Sequence, residues 1–114
     1  MLELRNITVN MKNGIFRSGK KQILSRISFS LPDGETLGIA GESGSGKTTI
    51  ARVILGLIRY DSGTLLINGK SMPGYYSRRD FAKKVQLITQ DPQTSFDPDF
   101  SVGESFREIL TIHK

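Results

Sequence analysis

The sequence predicts an α/β fold, and three features lead to this expectation. Residues 36–40, TLGIA, are apolar or small throughout, which is typical of a strand buried on both faces of a sheet. A glycine-rich loop follows at once, and apolar residues then recur at the spacing of one helical face between Ile50 and Ile58. Two segments nearer the N-terminus alternate apolar and polar residues, as half-buried strands do.

The N-terminal segments predict two strands joined by a long hairpin connection. In the first strand, which begins at Leu2, the apolar positions change parity between Leu4 and Ile7. Because side chains alternate between the faces of a strand, this change predicts a bulge at the intervening Arg5 and Asn6. Residues 27–31 alternate cleanly and predict the second strand.

Short elements are expected after the helix. Residues 64–69, TLLING, predict a strand that ends in an Asn-Gly turn. A short helix is expected around residues 77–83. Residues 85–89, VQLIT, are again apolar enough to predict a buried strand.

The C-terminal stretch predicts a loop followed by a last helix. Pro92 and Pro98 exclude regular structure from the loop. Ser101 and Glu104 have the spacing of a capping box, in which each residue satisfies a backbone N–H of the other at a helix start. An apolar face from Val102 to Leu110 follows.

Composition restricts the classes of function. There is no cysteine, which excludes a disulfide framework and a thiolate metal site and fits a reducing compartment. The N-terminus lacks the order of a signal peptide, and no apolar run is long enough to span a bilayer. The net charge of +5 fits either a basic solvated surface or an anionic ligand. The basic residues do not form one stripe, so nucleic acid is not an expected partner.

The glycine-rich loop is the strongest functional signal. Residues 41–48, GESGSGKT, match the pattern G-x-x-x-x-G-K-[ST] in full. Glycines allow the backbone amides to turn inward, and these amides and the following helix N-terminus favour phosphate. Lys47 adds a positive charge, and the Thr48 hydroxyl suits Mg²⁺. The candidate nucleotide-binding residues are Gly41, Ser43, Gly44, Ser45, Gly46, Lys47, Thr48 and Thr49.

The loop alone leaves kinases, GTPases and transport ATPases open, but the segments around it narrow the choice. LELRNITVNM and ILSRISFSLPDGETLGIAG precede the loop, and GLIRYDSGTLLINGK and VQLITQDPQTSFDP follow it. In this order they closely resemble the N-terminal half of an ABC-transporter ATPase subunit. The resemblance implies a P-loop NTPase core with an N-terminal antiparallel β-subdomain. It treats residues 1–114 as part of one domain, with residues 101–114 starting a helical subdomain that is cut off before it is complete.

The resemblance also assigns roles to two residues outside the loop. Gln90 matches the glutamine of the family's Q-loop, which implies contact with Mg²⁺ and the attacking water, and a loop that touches the membrane subunit. Members of the family usually stack an aromatic ring on the adenine of ATP, and Phe16 is the nearest candidate. Phe16 fits equally well as a packing residue of the hairpin, and Val9 occupies the strand end where a ring might otherwise lie.

The stretch QDPQTSFDPDFSVGE, residues 90–104, is similar to the peptide and nickel import subgroup of the family. This similarity implies an ATPase subunit that drives import of peptides, nickel or metal chelates. It also implies a second ATPase subunit, identical or different, a membrane permease reached through the Q-loop region, and a cytoplasmic location at the inner face of the membrane.

Several motifs of the family do not occur in these residues. There is no LSGGQ-like signature, no strand ending in the magnesium-binding Asp, no catalytic Glu and no switch His. Hydrolysis by this chain alone is therefore not expected, because phosphoryl transfer needs a group that orients the water. Two alternatives stay open: a nucleotide-binding module without catalysis, and an ABC ATPase that works outside transport.

Overall fold

The computed structural model describes residues 1–12, 20–72, 78–91 and 97–112. The chain divides into two compact units, residues 1–76 and residues 77–114, and each unit is described by itself. Seven elements occur in the described ranges, in the order β1 (Leu2–Lys12), β2 (Lys20–Leu31), α1 (Lys47–Ile54), β3 (Ser62–Ile67), β4 (Lys70–Met72), α2 (Arg78–Lys84) and α3 (Val102–Ile112).

The first unit is built on an antiparallel sheet with the strand order β2-β1-β3-β4. Strand β1 lies in the middle because it pairs with β2 along one edge and with β3 along the other. The N-terminal antiparallel sheet predicted from the sequence is thereby confirmed. Helix α1 contacts β2 beside this sheet.

The predicted bulge in β1 is present, and β2 has a matching irregularity. Asn6 and Arg26 both adopt left-handed backbone conformations, with φ of 53° and 49°. The N–H of Asn6 donates to the hydroxyl of Ser28 across the strand pair at 2.8 Å. The N–H of Arg26 donates in return to the hydroxyl of Thr8 at 3.2 Å. Each bulge therefore leaves a backbone donor that a side chain of the opposite strand satisfies.

The core of this unit lies between the sheet and α1. The five bulky side chains that are most completely buried are Leu4, Ile7, Leu24, Val53 and Leu65. Ile50 and Val53 are the buried residues of α1. Burial of these apolar side chains is the main favourable contribution to folding of the unit.

Strands β3 and β4 form the hairpin that the Asn-Gly turn predicted. Asn68 and Gly69 have φ of 51° and 73°, and positive φ at both central residues is the mark of a type I′ turn. The turn is therefore confirmed, whereas the short β4 that follows it was not predicted. Residues 73–77, which follow β4, lie outside the described residues.

Helix α1 ends earlier than its apolar pattern predicted. Its last residue is Ile54, and Leu57 lies beyond it with 69% of its surface exposed. Gly56 has a φ of 70°, and its N–H donates to the carbonyl of Val53 while the N–H of Leu57 donates to that of Arg52. This pair of hydrogen bonds is a Schellman motif, which closes the helix because glycine adopts the left-handed conformation without strain.

The prediction of a buried strand at residues 36–40 is wrong. These residues have no regular structure, and Leu37 and Ile39 are 41% and 43% exposed. None of the four strands in the described ranges pairs with this segment. A strand exists only where a neighbour accepts its backbone hydrogen bonds, so an apolar run without such a neighbour stays irregular.

The second unit contains two of the predicted helices but not the predicted strand. Residues 85–89 are irregular, and Ile88 is 92% exposed, because no described strand pairs with them. Helix α2 spans Arg78–Lys84, where a short helix was expected around residues 77–83. Helix α3 begins after the predicted capping box: the N–H and hydroxyl of Ser101 donate to Glu104, and the N–H of Glu104 donates to the hydroxyl of Ser101.

The apolar face predicted for α3 is exposed along its length. None of the helices in the described ranges has the length and the apolar content needed to cross a bilayer.

Candidate functional site

The candidate site is the loop that leads into α1. Its first turn spans Glu42 to Ser45, where the N–H of Ser45 donates to the carbonyl of Glu42 at 3.2 Å. Gly44 occupies the third position of this turn with a φ of 80°. Such a backbone is that of a type II turn, which requires positive φ at this position and therefore favours glycine.

The loop closes tightly around its first glycine. A Cβ built on Gly41 would lie 2.7 Å from the hydroxyl oxygen of Ser45. Any larger residue at position 41 would therefore require the Ser45 side chain to move, and with it one of the oxygens that hold Lys47.

Gly46 joins the loop to the helix. It is the N-cap residue of α1, with a φ of 96° and no side-chain cap, and it is buried. A Cβ built on it would lie 2.7 Å from Cδ2 of Leu24 and 3.2 Å from the carbonyl oxygen of Ile23. Both the conformation and the contact with β2 therefore require glycine here.

The ammonium of Lys47 is held against the loop by three oxygens. Nζ donates to the carbonyl oxygens of Gly41 and Glu42, at 2.5 Å in each case, and to the hydroxyl of Ser45 at 3.2 Å. The positive charge is thus fixed on the inner side of the loop's own curve. An anion bound there would meet both this charge and the loop's amides.

The first turn of α1 adds donors to the same place. The first amides of a helix have no intrahelical acceptor, and Gly46 supplies no side chain to cap them. The first turn also contains no acidic residue that would compete with an anion. Thr48 is exposed and Thr49 is half-buried, so the Thr48 hydroxyl is accessible from solvent. The arrangement fits a phosphate group.

The described residues contain no group of three or more His, Cys, Asp or Glu side chains that could hold a metal ion. Mg²⁺ does not need such a group, because it usually keeps several waters and combines few protein ligands with substrate phosphates.

The structure locates Gln90 but does not relate it to the loop. Gln90 is exposed and belongs to the second unit. The hydroxyl of Thr89 donates to the carbonyl of Asp91 at 3.1 Å, which closes a tight bend around Gln90. Phe16 lies outside the described residues. Val9, at the strand position considered for an adenine-stacking ring, is only 3% exposed and faces Leu24 within the sheet.

Leu24 is the residue of this site that the sequence did not reveal. It lies three residues before the cleanly alternating part of β2, beyond the irregularity at Arg26, so its side chain falls out of the apparent alternation. The position of Leu24 could have been predicted only by assuming a second bulge in β2, opposite the one predicted in β1.

Comparison with protein families gives a match over most of the chain. The sequence profile of the family described as "ABC transporter" matches residues 24–113. The matched range includes the whole of the loop, α1 and Gln90.

Curated relatives cover most of this chain, and two of them serve as examples. The oligopeptide transport ATP-binding protein OppF of Streptococcus mutans is 34% identical over 100% of this chain and 37% of its own length. The putrescine export system ATP-binding protein SapF of Escherichia coli K12 is 41% identical over 86% of this chain and 37% of its own length. The chain thus spans little more than a third of the length of these relatives.

Among solved structures, the fold is similar to that of the ATP-binding cassette MJ0796, determined as a dimer in a post-hydrolysis state with ADP and Pi. The match has a TM-score of 0.59 and 27% sequence identity, and it covers 69% of this chain and 35% of that one.

Proposed function

This chain belongs to the ABC transporter family, and we propose that it is the ATP-binding part of a transport ATPase that couples ATP binding and hydrolysis to the import of peptides, nickel or metal chelates. The family membership rests on the profile match over residues 24–113. The proposal for the solute rests on the stretch that follows Gln90 and on the relationship to an oligopeptide transport protein. The relationship to a putrescine export protein makes the solute the least constrained part of the proposal.

The observation that best supports ATP binding is that the glycine-rich loop brings its turned backbone and the ammonium of Lys47 to the same place. Gly44 and Gly46 hold the backbone in left-handed conformations, and the ammonium of Lys47 lies against the same curve. In the proposal, the loop amides and the amides of the α1 N-terminus bind the phosphates of ATP. Lys47 neutralises the terminal phosphates, and Thr48 supplies one oxygen to Mg²⁺. The other contacts of the loop come from Gly41, Ser43, Ser45 and Thr49.

Two further roles are part of the same proposal. Gln90 contacts Mg²⁺ and the attacking water, which its exposed position at a tight bend permits. Phe16 stacks on the adenine, for which an aromatic face is suitable. ATP supplies the phosphoryl group that is transferred to water, whereas the residues named here bind and orient it.

The proposed partners are a second ATPase subunit and a membrane permease contacted through the region of Gln90. The similarity to a cassette solved as a dimer supports the first of these. A position at the cytoplasmic face of the membrane follows from the proposed coupling to a permease.

Binding of ATP by the wild-type chain and by Lys47→Ala, with and without Mg²⁺, tests the proposal. Loss of a charge-assisted contact of about 1.5–3 kcal/mol predicts an affinity lower by on the order of 10- to 100-fold. Lys83→Ala, which removes an exposed lysine of α2, is the matched control and should bind ATP as the wild type does. Equal affinity in all three proteins would contradict the proposal.

Hydrolysis provides a separate test. The 114 residues contain no signature motif and no candidate catalytic Glu after an apolar strand. We therefore expect this chain alone to release phosphate from ATP at the background rate. Robust turnover by the purified chain would show that these residues contain a complete catalytic site.

A further inference from the structure

The loop that we propose to bind phosphate meets the antiparallel sheet at Leu24 and Ile23 of β2. Leu24 of β2 is 2% exposed, and its Cδ2 is the heavy atom nearest to the place where a Cβ of Gly46 would lie. The next nearest atom is the backbone carbonyl oxygen of Ile23, its neighbour in the strand. The sheet therefore meets the loop at the residue where the loop becomes a helix.

Gly46 has no side chain with which to fix its own position. Its conformation, with a φ of 96°, turns the chain so that the amides of α1 begin to point along the helix axis. A small shift at this residue would tilt the donors that follow, including the amide of Lys47. What fixes Gly46 is the surface of β2 underneath it, where the nearest apolar atom is Cδ2 of Leu24, at 2.7 Å from the Cβ position, and Cγ2 of Ile23 lies farther away at 3.8 Å.

We propose that Leu24 is a positioning residue for the phosphate loop. Its Cδ2 methyl sets the height of Gly46 above β2 and thereby the direction of the amides at the start of α1. Leu24 touches no phosphate in this proposal and acts through Gly46. The expected effect on ATP affinity rests on the proposed function. The expected effect on the positions of the loop amides does not.

Leu65 offers a matched control within the same sheet. It is also a leucine, it is also 2% exposed, and it lies in β3. None of the three heavy atoms nearest to a Cβ built on Gly46 belongs to Leu65. Leu24→Val and Leu65→Val shorten a buried side chain by the same amount, and each withdraws the terminal methyls, so both should lower the unfolding temperature to a similar degree.

The experiment measures three quantities on the full chain for each variant. They are the thermal unfolding midpoint, the NMR shifts of the amides of Gly44, Gly46 and Lys47, and the dissociation constant for ATP with Mg²⁺. We expect Leu24→Val to move these three amides and to weaken ATP binding about tenfold, the loss expected when one amide–phosphate hydrogen bond is misplaced. Leu65→Val should leave the amides and the affinity unchanged. Leu24→Met, which restores volume and reach, should recover both.

The outcomes separate this inference from the proposed function. Equal effects of Leu24→Val and Leu65→Val on the loop amides would overturn the positioning role, because both would then act through general stability. If the wild-type chain fails to bind ATP, the proposed function falls, and the shifts of the loop amides in the two valine variants still decide the role of Leu24.

Discussion

The ammonium of Lys47 donates to the carbonyl oxygen of Gly41, six residues earlier in the chain, at 2.5 Å. The same nitrogen donates to the carbonyl of Glu42 and the hydroxyl of Ser45. Three acceptors therefore surround one nitrogen atom. A tetrahedral ammonium can direct its three N–H groups to three separate oxygens, whereas a guanidinium directs its donors within one plane.

Arginine should therefore not take over the role of lysine in the variant Lys47→Arg. The planar group is larger and cannot donate to the three loop oxygens from one atom, so we expect a loss of ATP affinity on the order of that for Lys47→Ala, about tenfold or more. Isothermal titration with ATP and Mg²⁺ measures it. Wild-type affinity in Lys47→Arg would show that charge alone, and not its placement, matters at this position.

The two glycines of the loop with left-handed backbones should differ in stability when substituted. A Cβ on Gly44 meets no atom within 4 Å, so Gly44→Ala should cost only the conformational strain, about 1 kcal/mol. A Cβ on Gly46 meets Leu24 at 2.7 Å, so Gly46→Ala adds overpacking of about 1–3 kcal/mol. Urea unfolding of the two variants compares these costs, and equal destabilisation would contradict the contact between the loop and β2.

A third glycine tests the bulge in β1. Gly63 of β3 has a φ of 105°, and a Cβ on it would lie 2.6 Å from the carbonyl oxygens of both Arg5 and Asn6. Gly63→Ala should therefore destabilise the first unit by about 2–4 kcal/mol, the sum of overpacking and strain. Gly69→Ala is the control, because Gly69 also has positive φ but its Cβ would meet no atom within 4 Å. The free energies of unfolding in urea should differ clearly between the two.

The features that the sequence predicted well are those that local chemistry determines. The Asn68–Gly69 turn and the capping box at Ser101 each depend on a few neighbouring residues and on hydrogen bonds within them. The loop before α1 is only partly of this kind: the positive φ of Gly44 belongs to its own turn, whereas the contact of Gly46 with Leu24 joins the loop to a strand 22 residues earlier. The bulge near Asn6 could be read from the change of parity in β1.

The predictions that failed concern residues whose structure depends on distant partners. Residues 36–40 and 85–89 are apolar enough for buried strands, but an apolar run does not contain its own hydrogen-bonding neighbour. Helix α1 shows a smaller error whose origin is local. The apolar spacing continued to Ile58, while the Schellman motif at Gly56 ended the helix. The position of Gln90 relative to the loop is a relationship of this non-local kind, and the sequence predicts it only through the family resemblance.

The start of α3 should depend on pH through one carboxylate. Hydrogen bonds from the Ser101 hydroxyl, and secondarily from its backbone N–H, lower the pKa of Glu104 below its ordinary value of 4.5. A carboxylate whose pKa is lower in the folded state contributes stability that is complete above its ordinary pKa. That contribution is lost as pH falls through the lowered value, because the protonated group no longer accepts from both donors.

An NMR titration of the full chain from about pH 7 to about pH 2 measures this effect at the Glu104 carboxyl and at the Ser101 amide. Ser101→Ala should raise the pKa of Glu104 toward 4.5, although the backbone donor remains. Glu104→Gln is the informative control, since glutamine also completes a capping box but does not titrate in this range. The Ser101 amide should therefore stay constant with pH in Glu104→Gln. A titration of that amide with the same midpoint in the wild type and in Glu104→Gln would assign the pH dependence to another group.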